Sequence, residues 1–421
     1  MNFSSDRAYA QSRDRLDPLA SYRDRFHFAD PELIYLDGNS LGRLPLDTMP
    51  HLEDMVRQQW GERLIRGWNE GWIELQERLG ARLAELLGAA EDEIIIADST
   101  SINLFKLALA ALKANEGRSK IVTDDLNFPS DLYILQGAAQ LAGRPLTIDL
   151  IPSADGIHGP VEQLLDAVDG DTALVSLSHT TFKSSYTYDM TAVTAHAAAQ
   201  GAFMLWDTSH SAGSVPVDFH AAGAGLAVGC TYKYLNGGPG APAFLYVRRD
   251  LQPLLHNPLT GWMGQRNMFE FGLTYERDPG LRHFLTGTPP ILSIAALEPG
   301  LALLQEVGMG RLRRKSAAQT DYLIQLWAEW LAPLGFRLNS PRDGARRGSH
   351  VSLGHDDGYR IAQALIRQKV IPDFRRPDNI RFGIAPLYNS FSEIHEAMSR
   401  LRRIVVEELY REIPDDPDTV T

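Results

Sequence analysis

The stretch Gly229-Cys230-Thr231-Tyr232-Lys233-Tyr234-Leu235-Asn236-Gly237-Gly238-Pro239-Gly240 sets a lysine directly after an apolar, strand-like run and before a glycine-rich turn. Burying an ammonium is costly, and desolvation favours the free amine, the form that adds to a carbonyl or takes up a proton. The plainer reading is a lysine at a strand end whose head group reaches solvent. About 26 residues upstream, Leu205-Trp206-Asp207-Thr208-Ser209-His210-Ser211 closes another apolar run on a carboxylate and an imidazole. In a parallel α/β sheet, ligand groups gather at the carboxyl ends of strands, so Asp207 and Lys233 could face one crevice. A strand-end aspartate can equally be the cap of the next helix. Pyridoxal phosphate needs both groups: an imine-forming lysine, and a carboxylate that keeps the ring nitrogen protonated so that the ring draws in electrons.

A phosphate site would complete that set. Asp98-Ser99-Thr100-Ser101 precedes the helical run INLFKLALAAL and supplies hydroxyls and free N–H groups at a helix N-terminus, where dipole and donors aim alike. Simple N-capping explains the same residues. Asn127-Phe128-Pro129-Ser130-Asp131 adds an aromatic face able to stack on a planar ring, or else a loop and helix cap.

These groups need a scaffold, and the hydrophobic pattern supplies one. Apolar runs at 93–97, 121–125, 145–151, 173–179, 202–207, 226–233 and 241–247 alternate with helical patterns over 72–87, 102–112, 131–143, 161–168 and 191–200. That alternation predicts an α/β fold: a large, mainly parallel sheet with helices on both faces and a hairpin-like finish. The segment Ile34 to Gly42 predicts a strand-like lead-in followed by an ordered loop. Beyond Gly287-Thr288-Pro289-Pro290 the order changes to two long helices (291–309 and 311–333), strands near 336–339 and 350–354, a helix, a strand and a final amphipathic helix over 391–413. This is a smaller α+β unit of about 130 residues, enough for its own core. The expected division is an N-terminal arm at 1–60 that packs with the small domain, a cofactor domain at 61–289 and a small domain at 290–421.

Composition bounds the function. The 421 residues are 44% hydrophobic and 22% charged, a globular mixture, and 41 basic against 53 acidic side chains leave a net charge of −12. That balance repels nucleic acid and anionic membrane. The run Arg311 to Lys315 is then one solvated helix face. A single cysteine excludes an internal disulfide framework and fits the cytoplasm. The charged N-terminus lacks the apolar core of a secretory signal, no apolar run approaches a membrane span, and scattered histidines support no metal site. The Pro/Asp-rich end EIPDDPDTVT is expected to fray.

Taken together, YLDGNSLG, RGWNEGW, TSINLFK, NFPSDLY, WDTSHSAG, GCTYKYLNGGPG, PLTGWMG, RRGSHVSL and RFGIAPLY occur in an order and spacing that resemble the kynureninases of the bacterial type. These are enzymes of the aspartate-aminotransferase-like fold type I with a seven-stranded-type sheet, and the resemblance covers nearly the whole chain. It implies a homodimer that uses pyridoxal 5'-phosphate and has its active sites at the subunit interface. It implies hydrolysis of the Cβ–Cγ bond of L-kynurenine, or its 3-hydroxy form, to an anthranilate and L-alanine through a quinonoid and a retro-Claisen cleavage, within tryptophan catabolism and NAD biosynthesis. By position, Lys233 would hold the cofactor, Asp207 would pair with the ring nitrogen and His210 would lie beside it. Phe128 would stack on the ring, Asp131 would meet its polar edge, and Pro129, Ser130 and Ser178 would border it. Ser99, Thr100, Tyr232 and Trp262 look like phosphate-pocket residues, and Thr288 would reach the phosphate of the neighbouring subunit. Arg381 resembles the clamp for the substrate's α-carboxylate, with Asn39 and Trp68 on the substrate side, and Tyr232 is the candidate proton relay. Trp68 with Thr288 fits the aryl pocket that favours kynurenine over its 3-hydroxy form.

One segment departs from the resemblance. His179 to Met190 reads HTTFKSSYTYDM where HVNYKTGYMHDM is usual, and Asp207-Thr208-Ser209-His210 replaces Asp-Leu-Ala-His. These hydroxyls either bond locally or reshape the site for a different aryl β-keto amino acid. Cysteine desulfurases share the fold but need a thiol on a mobile loop, whereas Cys230 falls in a predicted strand. A non-catalytic binding protein would have no need to keep Lys233, Asp207 and Arg381 together.

Overall fold

The computed structural model of the chain describes residues 3–414, so the acidic tail beyond 414 lies outside the described residues. After helices α1 (Arg7–Arg15) and α2 (Thr48–Asp54) and strand β1 (Ile34–Tyr35), a seven-stranded sheet is built from β2 (Ile94–Ile96), β3 (Lys120–Asp124), β4 (Thr147–Ile151), β5 (Thr172–Ser178), β6 (Phe203–Asp207), β7 (Leu226–Gly229) and β8 (Phe244–Val247). Its order is β2-β8-β7-β6-β5-β3-β4, with β8 antiparallel to both neighbours and the other pairs parallel. The sheet domain and hairpin-like finish expected from the alternation are therefore present.

Strand side chains alternate between faces, and both faces are covered. On β6, Leu205 joins one apolar cluster with α4 (Thr100–Ala114) and α5 (Pro129–Leu141). Met204 and Trp206 join the opposite cluster with α3 (Leu75–Leu87), α6 (Val161–Ala167) and α7 (Met190–Ala199). Helix α3 shows how the sequence dictates the element. Leu75, Leu79, Leu83 and Leu87 recur every fourth residue and are all buried, and the helix stops at Gly88, whose φ of +63° suits a residue without a side chain.

The chain then forms α8 (Ile291–Ala295), α9 (Leu297–Val307) and α10 (Met309–Leu326). The single helix expected over 291–309 is split because Pro299, in the first turn of α9, has no N–H to give to the Ala295 carbonyl. Residues Ile294 to Val307 and Leu312 pack in the large sheet's cluster, and the second core begins at Tyr322. That core holds the antiparallel sheet β12-β13-β10-β9, made from β9 (Arg337–Leu338), β10 (His350–Gly354), β12 (Asp373–Arg375) and β13 (Asn379–Gly383), with α11 (Gly358–Arg367) and α12 (Phe391–Val406).

The N-terminal arm ties into this second core. Strand β1 pairs in parallel with β11 (Val370–Ile371), and Ala10, Ile34 and Leu36 are buried there. Asp14 accepts the Phe391 and Ser392 N–H groups at 2.7 and 2.9 Å, and a reciprocal Ser390–Glu393 capping box completes the start of α12. Among the described residues, no single helix is long and apolar enough to cross a membrane.

Candidate active site

The carboxyl ends of β5, β6 and β7 meet at one crevice, with Ser178 opposite Asp207 and Asp207 opposite Val228. Strand β7 ends at Gly229, earlier than its apolar run suggests. The following N–H and C=O groups are spent on a loop: Ser209 Oγ accepts the Cys230 N–H at 3.1 Å, and Thr231 O accepts the Gly237 N–H at 2.9 Å. Lys233 therefore stands in this loop, half-buried, with Nζ 2.9 Å from His210 Nε2 and 5.8 Å from the Tyr232 ring centre. The lead-in segment closes on the same backbone. Gly42 donates to the Tyr232 carbonyl at 2.8 Å, and a Cβ at Gly42 would collide with the Lys233 carbonyl.

Electrostatics sort the buried groups into roles. Asp131 and Asp207 are buried and hydrogen-bonded to each other. Burial first, then the Asp207 charge, pushes Asp131 well above the ordinary carboxylate range, so Asp131 holds the proton of the pair. Burial, with the Lys233 charge, pushes His210 well down, which leaves a neutral imidazole to accept from Lys233; its Nδ1 is buried without a partner. His350, 5.4 Å from His210 ring to ring, is lowered by burial and by Arg381.

The loop 124–131 is held from beneath. Asp124 Oδ1 accepts the Leu126 and Asn127 N–H groups at 3.0 Å each, Tyr188 donates to its other oxygen, and Asn127 Oδ1 accepts the Ser178 N–H at 2.5 Å. This leaves Phe128 46% exposed, its ring edge-on to Phe182 at 5.2 Å. A Ser101–Ser130 hydroxyl bond of 2.9 Å joins the first turns of α4 and α5. Ser99 and Thr100 sit at the first of these, and Pro129 opens the second. Two helix N-termini side by side suit a dianion.

Burial raises the Asp124 carboxyl to about 6, so from about pH 4 to pH 6 the folded chain binds a proton that the unfolded chain has released. Stability falls across that window by roughly 2–3 kcal/mol and is level above it. In urea unfolding, Asp124→Asn should gain on the parent between pH 4 and pH 7; a difference independent of pH would contradict this.

On the small-domain side, Arg381 is 2% exposed and donates to the Phe182 carbonyl, to Asp373 and to Ser40 Oγ. Asn39 is wholly buried, and neither its amide oxygen nor its nitrogen has a partner. These groups sit where β13 meets the lead-in loop, since Asp37 bridges to Gly383. The geometry thus gathers Lys233, Tyr232, His210, Asp207 and Asp131, and joins Arg381 to Ser40, next to Asn39. Three further expected site residues have neighbours outside this group in the single chain. Trp68 packs edge-on against Trp72 at 5.8 Å, Trp262 against Phe269 at 6.2 Å, and Thr288 lines a surface cavity with Trp60, Trp72 and Pro290. His350, Asp373, Arg375 and Ser40 are site neighbours that sequence reading passed over. The signal for three of them was the alternation on β10 and β12, which sets His350 on β10 and Asp373 with Arg375 on β12.

The departing segment uses its hydroxyls internally. Thr180 bonds Thr187 at 3.0 Å and Ser211 at 3.1 Å, Thr181 bonds Ser184 at 2.8 Å, and Thr208 donates to the Val228 carbonyl at 2.8 Å. Ser185, where glycine is usual, has a φ of +66° and a buried Oγ without a partner. Backbone strain of about 1 kcal/mol and an unmet hydroxyl of about 1–3 kcal/mol outweigh the extra chain entropy of glycine, about 0.5–1 kcal/mol. Ser185→Gly should therefore stabilise the fold by about 1 kcal/mol in urea unfolding, and a destabilised variant would refute that reading.

Comparison with known proteins sets this geometry in context. The chain is similar to the apo cysteine desulfurase of Thermococcus onnurineus NA1, with a TM-score of 0.76 at 21% identity over 91% of this chain and 96% of that one. It is also similar to the cysteine desulfurase CsdA of Escherichia coli, with a TM-score of 0.77 at 16% identity over 93% and 98%. At these identities the likeness concerns the fold. Residues 312–401 match the kynureninase C-terminal domain. Kynureninase from Pseudomonas fluorescens is 46% identical over 398 residues, 93% of this chain and 94% of that protein. Kynureninase from Burkholderia mallei (strain SAVP1) is 44% identical over 411 residues, 96% and 97% of the two. With identity of this order along nearly its whole length, the chain belongs to the kynureninase family.

Proposed function

We propose that the chain hydrolyses L-kynurenine, adding one water across the Cβ–Cγ bond to release anthranilate and L-alanine, with pyridoxal phosphate as its cofactor. The observation that carries this reading is the buried, hydrogen-bonded Asp131–Asp207 pair in the same crevice as the Lys233–His210 contact.

The residues present fit the cofactor. Asp207 would face the ring nitrogen, Asp131 and His210 the ring's polar edge, Phe128 its face, and Ser99 and Thr100 the phosphate, with Ser178 and the Pro129-Ser130 turn around it. Lys233 would hold it. When bound, pyridoxal phosphate supplies the electron sink that stabilises a carbanion at the substrate's Cα. Lys233 Nζ takes and returns the Cα proton. His210, neutral, receives the Lys233 N–H and keeps the amine aimed. Arg381 orients the α-carboxylate as a planar donor. The Cys230 thiol, then burial, pushes the Tyr232 phenol up, so Tyr232 stays protonated and serves as a donor that relays a proton to the leaving Cβ.

Desulfurase chemistry does not suit this chain, because Cys230 is buried and burial raises its thiol. Apart from Ser185, the Thr and Ser hydroxyls of the departing segment bond locally, and nothing in them favours a different aryl substrate.

The homodimer belongs to the same reading. Thr288 and Trp262 are exposed, and in a dimer they would serve the phosphate pocket and Trp68 the aryl pocket. Trp60, Ile65, Phe271 and Leu273 are exposed apolar side chains that a second copy would cover. In the proposed division into 1–60, 61–289 and 290–421, helices α8 and α9 are the strut by which the small domain grips the large sheet. The lone cysteine fits the cytoplasm.

Product identity tests the reading. The cofactor-loaded protein should turn L-kynurenine into equal amounts of anthranilate and L-alanine, and do so faster than the 3-hydroxy form. Failure to cleave either substrate would overturn it.

A further inference from the structure

Asp373, Arg381 and Ser352 form one rung of the small sheet, directly opposite one another across β12, β13 and β10. Residues paired in this way project from the same face. That face meets two adjacent carbonyls of the departing segment: Arg381 Nη1 donates to Phe182 O, and Ser352 Oγ donates to Lys183 O. Arg381 Nη2 is shared between the Asp373 carboxylate and Ser40 Oγ, the latter at 3.2 Å. The second oxygen of Asp373 lies 3.2 Å from Arg375 Nη1. One carboxylate, 1% exposed, thus holds two guanidiniums, and the Nε groups of both arginines are buried without a partner. The Asp37 carboxyl faces both arginines as well, and burial works against its charge.

This arrangement is more than charge balance. A buried arginine without a counter-ion must swing out or draw in water, because its desolvation is otherwise uncompensated. Asp373 occupies part of the Arg381 donor set and leaves Nε open. Arg381 has two neutral partners, the Phe182 carbonyl on Nη1 and the Ser40 hydroxyl on Nη2, and an incoming carboxylate could displace the Ser40 hydroxyl without breaking an ion pair.

We propose that Asp373 is the positioning residue of the carboxylate site: it fixes the Arg381 guanidinium, with Arg375 on its other oxygen, so that an amino-acid carboxylate meets a preset donor rather than a mobile side chain. The proposal rests on the reading of Arg381 as the carboxylate's partner.

The test uses the cofactor-loaded protein. L-alanine and ethylamine, which differ by the carboxylate, are titrated by the change in the cofactor's visible absorption in the parent, Asp373→Ala, Arg381→Ala and the double variant. Asp373→Ala should weaken L-alanine at least about tenfold, change ethylamine less than about threefold, and raise KM more than it lowers kcat. In the Arg381→Ala background the effect of Asp373→Ala should vanish, since Asp373 acts through Arg381. Equal weakening of both ligands, or an Asp373→Ala effect that survives without Arg381, would overturn the proposal. So would an unchanged affinity for L-alanine. Should Asp373→Ala fail to fold, Asp373→Asn is read in the same cycle. Its one carbonyl oxygen can serve only one of the two guanidiniums, so a loss of about threefold that disappears with Arg381 is expected, and no loss would overturn the proposal. If Arg381→Ala itself leaves the preference for L-alanine over ethylamine intact, the clamp reading fails, and that outcome is distinct from the failure of Asp373 alone.

Discussion

Replacing Lys233 by alanine is expected to lower kcat by roughly four to six orders of magnitude, the scale on which enzymes lose activity when the group that bonds and moves protons is removed. The same change should abolish the visible absorption band of the lysine-bound cofactor. The fold should survive, because Lys233 is half-buried in a loop and the change leaves unmet only the Nε2 acceptor of His210, at a cost of about 1 kcal/mol. Two readings come from one protein sample: absorbance after reconstitution with excess pyridoxal phosphate, and single-turnover product formation. A variant that keeps the band, or retains more than about a hundredth of the parent kcat, would remove Lys233 from the centre of the mechanism.

Asp207→Asn has the second largest expected effect. Asp207 stands at the end of β6 with its Oδ1 accepting the Ser209 N–H at 2.8 Å, so the isosteric amide keeps the shape of the site while losing its charge. A preset charge aimed at a group that must stay protonated is worth about two to three orders of magnitude in kcat. Asp131 is the internal control. Its like-charge neighbour disappears, so its own carboxyl should fall toward the ordinary range while burial still holds it up. The variant should therefore bind cofactor and show a visible band, yet turn over about 100 to 1,000 times more slowly. A rate within about threefold of the parent would mean that the ring nitrogen is not served by Asp207.

Much of this was legible in the sequence because its signals are local. Leu75, Leu79, Leu83 and Leu87 announce α3 by spacing, and Gly88 its stop. The alternation of apolar runs with helical patterns fixed the large sheet, because strands buried on both faces must be apolar throughout. Lys233, Asp207 and Asp131 were readable as strand-end and helix-cap residues that the sheet topology brings together.

What was not legible depends on pairing across long sequence distance. The Asp373–Arg381 pair and the docking of Arg381 on the Phe182 carbonyl, 199 residues away, follow from sheet register and domain packing, which no local pattern encodes. The early end of β7 was missed because Cys230 and Thr231 look like strand residues until their backbone partners, Ser209 and Gly237, are known.

Hydrolysis performed in water enriched in oxygen-18 reports directly which bond this chain breaks and where the water goes. If this chain cleaves the Cβ–Cγ bond by adding water to the γ-carbonyl, mass spectrometry should find at least one labelled oxygen in the carboxylate of anthranilate and none in the L-alanine formed beside it in equal amount. Consumption of L-kynurenine with its carbon skeleton intact, or without labelled anthranilate, would contradict the account.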